Sequence, residues 1–151
     1  MEKTISDKTL EVLERAILSL ETPGLDARRI ARPSARCDFA DAPIYFEITA
    51  IWTERGHETD GTVVMKGRAG ISIMTGVGVD RSVADSIANA LLELLTPRDA
   101  RRSPFNAVAA SELTTAARYR LYGTRGTRLA DEIVGSRRKS TIIFELELFE
   151  E

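Results

Sequence analysis

The most informative stretch of this sequence is Arg81–Leu95, which reads RSVADSIANALLELL. Its apolar side chains recur at intervals of three or four residues, the period of a helix that buries one face. Thr96-Pro97 follows and ends the pattern, because proline cannot continue a helix. Ser82 and Asp85 have the spacing of a capping box. We therefore expect an amphipathic helix over Arg81–Leu95, capped by this pair.

Two strands are predicted before this helix. Ile44–Trp52 alternates between apolar and polar side chains, which is the period of a half-buried strand. A second strand is predicted over Thr62–Thr75, where Gly67 and Gly70 indicate a bulge or a bend. The polar stretch Glu54–Gly61 is predicted to be the loop between them. Strands joined without an intervening helix are expected to pair antiparallel.

The remaining elements lie at the two ends of the chain. Apolar spacing predicts a first helix over Ser6–Leu20, with Ser6 as its N-cap. A third strand is predicted over Phe105–Leu113, and a last, alternating strand runs from Ile142 to Phe149. Thr114–Gly135 is ambiguous: residues 116–122 suit a helix or a strand, and a short helix over residues 125–134 is one interpretation.

These elements predict one α+β domain over residues 1–151. Its sheet is expected to be mixed, mostly antiparallel and of about four strands, with the two main helices packed on one face. Residues 21–42 form an irregular linker in this interpretation, and residues 114–139 form an arginine-rich, mobile segment.

The composition indicates a globular chain that does not need a membrane. Hydrophobic residues make up 43% and charged residues 29%, and the formal net charge is -2. No apolar run reaches the roughly 20 residues that span a bilayer, and the first residues have no secretory pattern. With one cysteine, no internal disulfide is expected. We expect a protein made in the cytoplasm and kept there or carried out inside a larger particle.

Few side chains offer catalytic chemistry. His57 has Glu58 and Asp60 beside it but no distant ligand, so a solvated loop is the preferred interpretation. Cys37 lacks a neighbouring base. The turn Thr75–Gly78 precedes a helix, where amides can hold a phosphate, but the dinucleotide motif requires glycine where Arg81 stands. We expect no enzyme, no metal and no cofactor.

Charge is unevenly distributed along the chain. Between Arg98 and Lys139 there are ten basic and four acidic residues, a net charge of +6, which leaves -8 on the remainder. Such polarity suits subunits that meet basic face to acidic face, an arginine- and tyrosine-rich protein interface, or contact with nucleic acid; ordinary solvated charge is the equal alternative. The candidate interface or lumen residues are Arg118, Arg120, Tyr122, Arg125 and Arg128.

The order of elements resembles that of the tail terminator (tail completion) proteins of long-tailed bacteriophages, prophages and gene transfer agents. The resemblance covers most of the chain and begins with an N-terminal helix and an arginine-containing linker that leads to the strand Pro43–Ile48. It continues with the polar loop His57–Gly61, the run from Gly70 through a turn to the helix at Val83–Leu91, and the closing strand Ile142–Leu148. The stretch between Thr114 and Arg138 is longer than the hairpin expected there.

The resemblance implies a homohexameric ring that caps the tail tube and ends its polymerisation. Its partners would be further copies of itself, the tail-tube protein and the head-tail connector, with DNA only passing through the lumen. The protein would be located in the virion neck and assembled in the bacterial cytoplasm. Three alternatives remain open: another connector, neck or tube subunit; a small DNA-binding regulator; and an enzyme that binds phosphate at Gly76–Gly78.

Overall fold

The structure is a computed structural model, and it describes residues 4–21, 29–33, 42–53, 56–57, 63–111 and 119–150. Three α-helices and seven strands form in these residues. In chain order they are α1 (Ile5–Leu18), β1 (Ile30–Ala31), β2 (Ile44–Trp52), β3 (Gly56–His57), β4 (Val63–Thr75), α2 (Arg81–Leu95), α3 (Asn106–Ser111), β5 (Tyr119–Arg128), β6 (Glu132–Val134) and β7 (Arg137–Glu150).

The strands form one sheet in the order β1-β2-β4-β7-β5. β3 pairs with the beginning of β4, and β6 pairs with the beginning of β7. Every pairing is antiparallel except that of β1 with β2. The predicted mixed, mostly antiparallel α+β fold is therefore confirmed. Its four long strands match the expected number, and three strands of two or three residues are additional.

α1 and α2 pack on the same face of the sheet, as predicted. Because side chains alternate along β2, Ile44, Phe46 and Ile48 all point towards the helices. Their paired residues in β4 and β7, such as Ile71 and Ile142, lie on the same face of the sheet. Leu13 and Ile17 from α1 and Leu91 from α2 are fully buried against it. Each such side chain stabilises the fold by roughly 1.5–3 kcal/mol, so this single core holds the helices and the sheet together.

Both main helices are found where the sequence places them, but their N-caps differ from the prediction. The cap of α1 is Thr4, not Ser6: Thr4 Oγ1 accepts the Asp7 N–H at 3.1 Å, and Asp7 accepts the Thr4 N–H at 3.2 Å. The cap of α2 is Asp80, whose carboxylate accepts the Ser82 N–H at 2.9 Å. Asp85 is therefore free to face β5 rather than to complete a capping box.

The strand predicted over Phe105–Leu113 is wrong, because residues Asn106–Ser111 form α3. Phe105 and Val108 are both buried, and their spacing of three residues suits a helix that covers the core. The Phe105 ring packs against Phe144, with 5.5 Å between ring centroids. Leu113 lies outside the described residues.

The short helix predicted over residues 125–134 is also wrong. Tyr119–Arg128 forms β5, which pairs along β7, and Glu132–Val134 forms β6. The sheet partner decides the structure here, since the β7 edge offers hydrogen bonds that an isolated helix cannot match. The extra length noted between Thr114 and Arg138 corresponds, in the described part, to one long strand and a small hairpin.

Of the bulge or bend predicted at Gly67 and Gly70, the bulge is wrong, since the β4 register is continuous on both sides. Gly67 instead makes room for the ring of Trp52: a Cβ at this position would lie 2.5 Å from Trp52 Cδ2. The Trp52 indole donates a hydrogen bond of 2.9 Å to Thr9 Oγ1 and so links β2 to α1. The register shift in the sheet occurs between Leu121 and Gly123.

Two segments expected to be irregular contribute short strands. β3 lies within the predicted loop 54–61, and β1 lies within the predicted linker 21–42. Arg32, which follows β1, forms an ion pair with Glu14 of α1, in which Nη2 donates to Oε2 at 3.0 Å. Glu14 also raises the pKa of Arg32 above its ordinary value.

No helix among the described residues is long and apolar enough to cross a membrane.

Candidate interaction surfaces

Of the five predicted interface residues, the structure describes the side chains of two, Arg125 and Arg128, and these two do not share a surface. Arg118 lies outside the described residues, and for Arg120 and Tyr122 the structure describes the backbone, which lies in β5, but not the side chain. Arg125 is exposed on the sheet face away from the helices, and Arg128 points to the helical face. Residues three apart on a strand lie on opposite faces, so Arg125 and Arg128 cannot contact the same flat partner surface.

Arg128 joins two structural elements. Its Nη2 donates to Asp85 Oδ1 in α2 at 2.7 Å and lies 3.5 Å from Asp131 Oδ1, and its side chain is 25% exposed. Both contacts are made by the same nitrogen, so Arg128 has at least a structural role between β5 and α2. Its role as an interface or lumen residue stays a prediction.

The sheet face opposite the helices carries a groove around Ile51. The groove has a volume of about 490 Å³, and its lining includes Ile51, Thr53, Lys66, Arg68, Glu145 and Glu147. The Ile51 side chain is 69% exposed. Arg68 Nη2 lies 3.4 Å from Glu145 Oε1, and Arg125 stands opposite Glu145 in the register. Cations and anions alternate across this face, so its charge is locally balanced.

A second surface lies where β4 turns towards α2, next to the β6–β7 turn. We call it the hairpin end, and define it by the exposed apolar residues Val77 and Ile133, which are 88% and 71% exposed. A groove of about 360 Å³ runs between the two turns and has Val77, Val79 and Ile133 in its wall. Isolated exposed apolar residues are ordinary, but several around one groove indicate a contact surface.

The hairpin end was missed by sequence reasoning because residues 125–134 were assigned to a helix. A signal was present: Gly135 and Ser136 form a two-residue turn between Val134 and Arg137, which pair with each other. Gly135 adopts φ 63°, a conformation that glycine takes without strain and that such hairpins require at this position. Reading this pair as a turn would have predicted β6 and its exposed Ile133.

The turn after β4, where a phosphate site at Gly76–Gly78 is one of the open alternatives, has charges of both signs around it: Arg137 and Arg138 line the groove beside it, and Asp80 caps α2. The Asp80 carboxylate already accepts the Ser82 N–H at the beginning of α2, so an anion there would meet a negative charge. Among the described residues, no three His, Cys, Asp or Glu side chains are grouped as metal ligands. Cys37, Glu58 and Asp60 lie outside the described residues, and only the backbone of His57 is described, in β3.

Comparison with known proteins adds little to this description. The chain matches no family model and no curated protein sequence. Among the solved structures that match, one aligns over 94% of this chain and 95% of its own length, with a TM-score of 0.45 and 12% identity. No conclusion about fold or function follows from a likeness that weak.

Proposed function

We propose that the protein is a structural subunit of a phage-type tail, a terminator that closes into a ring on the tail tube, and not an enzyme. The observation that carries the proposal is the hairpin end, where Val77 and Ile133 expose apolar surface beside a groove. Burying such surface is the main driving force of subunit association.

A second feature supports a ring over a two-fold dimer. The hairpin end lies at the Thr75 end of β4, whereas the Ile51 groove is lined by Lys66 and Arg68, near the other end of that strand. In a ring each subunit uses one surface towards one neighbour and a different surface towards the other. In this proposal the hairpin end and the Ile51 groove, two separate surfaces of one sheet, meet that geometric requirement.

In this proposal the ring ends tube polymerisation and offers its far side to the head-tail connector, within the virion neck. The subunits are expected to form a homohexamer, through which DNA passes. The sequence supports the proposal through the order of its elements. The fold supports it because one α+β sheet carries both surfaces, the Ile51 groove on its open face and the hairpin end at the Thr75 end of β4.

The test is the mass of the purified protein by light scattering, with negative-stain imaging of the same fraction, alone and with tail-tube protein. Rings of about six subunits, formed alone or on the tube, would support a terminator. A filament would identify a tube subunit instead. A monomer or dimer that ignores tube protein would contradict the proposal and favour another neck component or a DNA-binding module.

A further inference from the structure

The loop between α2 and α3 is basic and its backbone is held in place. We call Arg98–Arg102 the arginine loop; its last three residues, Ala100–Arg102, form a single 3-10 turn. The Asp99 carboxylate accepts the Arg101 N–H at 3.1 Å. The Asn106 amide lies at 2.9, 3.2 and 2.9 Å from the carbonyl oxygens of Ala100, Arg101 and Ser103, towards which it donates. These contacts fix the loop although it is on the surface.

The loop is also anchored to the core. Ser103, which is 4% exposed, donates from Oγ to the Leu95 carbonyl at 2.7 Å. Phe105 follows it and is fully buried. Since the chain is fixed on both sides of the arginines, little backbone entropy is lost when they bind a ligand, which favours binding.

The arginines themselves are exposed, and two of them are not neutralised. Arg101 pairs with Asp99 in the same loop at 3.1 Å. Within the described part of the chain, neither Arg98 nor Arg102 has a carboxylate within ion-pair distance, in contrast to Arg32, Arg68 and Arg128, whose partners are given above.

Helix capping does not account for these arginines. Cations after a helix often stabilise its last carbonyl groups. In α2 that position is already filled: Thr96 donates from N and Oγ1 to the Leu92 carbonyl, at 2.8 and 2.6 Å, and Ser103 donates to that of Leu95. The guanidinium groups of Arg98 and Arg102 are therefore available to a ligand from solution.

The chemistry of the loop favours phosphate over a protein partner. Between Thr96 and Pro104 no large apolar side chain is exposed, so the loop lacks the apolar centre of a protein interface. Guanidinium groups match the geometry of phosphate oxygens. We infer that the arginine loop binds the phosphate backbone of duplex DNA without reading its sequence. The inference concerns a single subunit and does not depend on ring formation.

The test uses the full chain and a labelled duplex of arbitrary sequence, followed by fluorescence anisotropy. At low salt we expect binding with a Kd on the order of 10⁻⁴ M or tighter, and weaker binding as salt rises from about 50 to 200 mM. The double variant Arg98→Gln/Arg102→Gln should bind at least about fivefold more weakly, and its slope of log affinity against log salt should be shallower by about 2, since each phosphate contact contributes about 0.9.

The matched control is Arg15→Gln/Arg81→Gln, which removes two exposed arginines from α1 and α2 that lie outside both grooves. It should bind DNA as the unmodified protein does. Equal loss in both double variants, or no DNA binding by the unmodified protein at low salt, would overturn the inference. So would poly-glutamate binding as tightly as the duplex, because the loop would then be a site for acidic protein. None of these readouts measures oligomeric state, so the inference can fail while the ring proposal stands.

Discussion

Arg128 in β5 donates a hydrogen bond of 2.7 Å to Asp85 in α2, and the two residues are 43 positions apart in the chain. This bond is a direct polar link between the terminal strand of the sheet and the helical layer. Close by, Gly126 lets β5 approach the same helix: a Cβ there would lie 2.7 Å from Leu92 Cδ2. Arg128, which was predicted from the sequence to be an interface or lumen residue, therefore has a structural role.

We expect Arg128→Ala to lower the free energy of unfolding by about 1–3 kcal/mol, because Asp131 keeps a buried carboxylate oxygen and loses its cation. Arg125→Ala, in the same strand but exposed, should change it by less than about 0.5 kcal/mol. Urea denaturation of both variants measures the difference. Equal effects of the two substitutions would contradict a structural role for Arg128.

The contact of Trp52 with Gly67 gives a second prediction. Gly67→Ala would place a methyl group 2.5 Å from the indole, which Thr9 holds in place. We expect a loss of about 1–3 kcal/mol from overpacking. The protein has one tryptophan, so its fluorescence reports unfolding directly.

Two further variants separate packing from a general cost of replacing glycine. Gly76→Ala is the control, since a Cβ there would meet only the Pro43 carbonyl at 3.6 Å and Arg137 at 3.8 Å; its effect should stay below about 0.5 kcal/mol. In the background Trp52→Leu, the cost of Gly67→Ala should fall, which a double-mutant cycle detects. An unchanged cost in that background would show that the indole is not the cause.

The N-cap of α2 makes a prediction about pH. The Ser82 N–H, and then its hydroxyl, donate to Asp80 and hold the pKa of this carboxyl below its ordinary value. A depressed pKa in the folded state means that the stabilisation is present at neutral pH and is lost as pH falls through the folded-state pKa. Asp80→Asn keeps an oxygen acceptor but cannot titrate. We expect the difference in Tm between the unmodified protein and Asp80→Asn to shrink below about pH 4. A constant difference in Tm from pH 7 to pH 3 would contradict this.

The long periodic elements were predictable because their burial is repetitive. The predicted bounds of α2, Arg81 and Leu95, are those of the structure. The apolar residues that alternate in β2 are the ones buried at the start of that strand. The caps were missed because Thr4 and Asp80 stand just outside the apolar pattern, while Ser6 and Ser82 stand where the pattern starts. A cap is decided by one local hydrogen bond, which apolar periodicity does not encode.

The errors after Phe105 have a different cause. β5 contains Gly123 and Gly126 and little apolar alternation, so its strand structure depends on the long edge of β7 that it pairs with. The charge count identified a basic segment but not its geometry. Arg128 points towards the helices, and Arg125 lies opposite Glu145. The exposed arginines whose backbone is held by hydrogen bonds are those of the arginine loop after α2. Sequence gives the number of charges, whereas their pairing depends on the fold.

The last prediction concerns the hairpin end. Ile133→Asp places a charge on a side chain that is 71% exposed, so the isolated subunit should keep its Tm, but a neighbour that buries this position would have to desolvate a carboxylate. We expect light scattering to show loss of ring formation, alone or on tube protein. Leu18→Asp is the matched control, because Leu18 is 59% exposed on α1, away from both grooves. If Ile133→Asp forms rings as readily as the unmodified protein, the hairpin end is excluded from the subunit contact. If Ile133→Asp and Leu18→Asp lose rings equally, the added negative charge is the cause and the position is not.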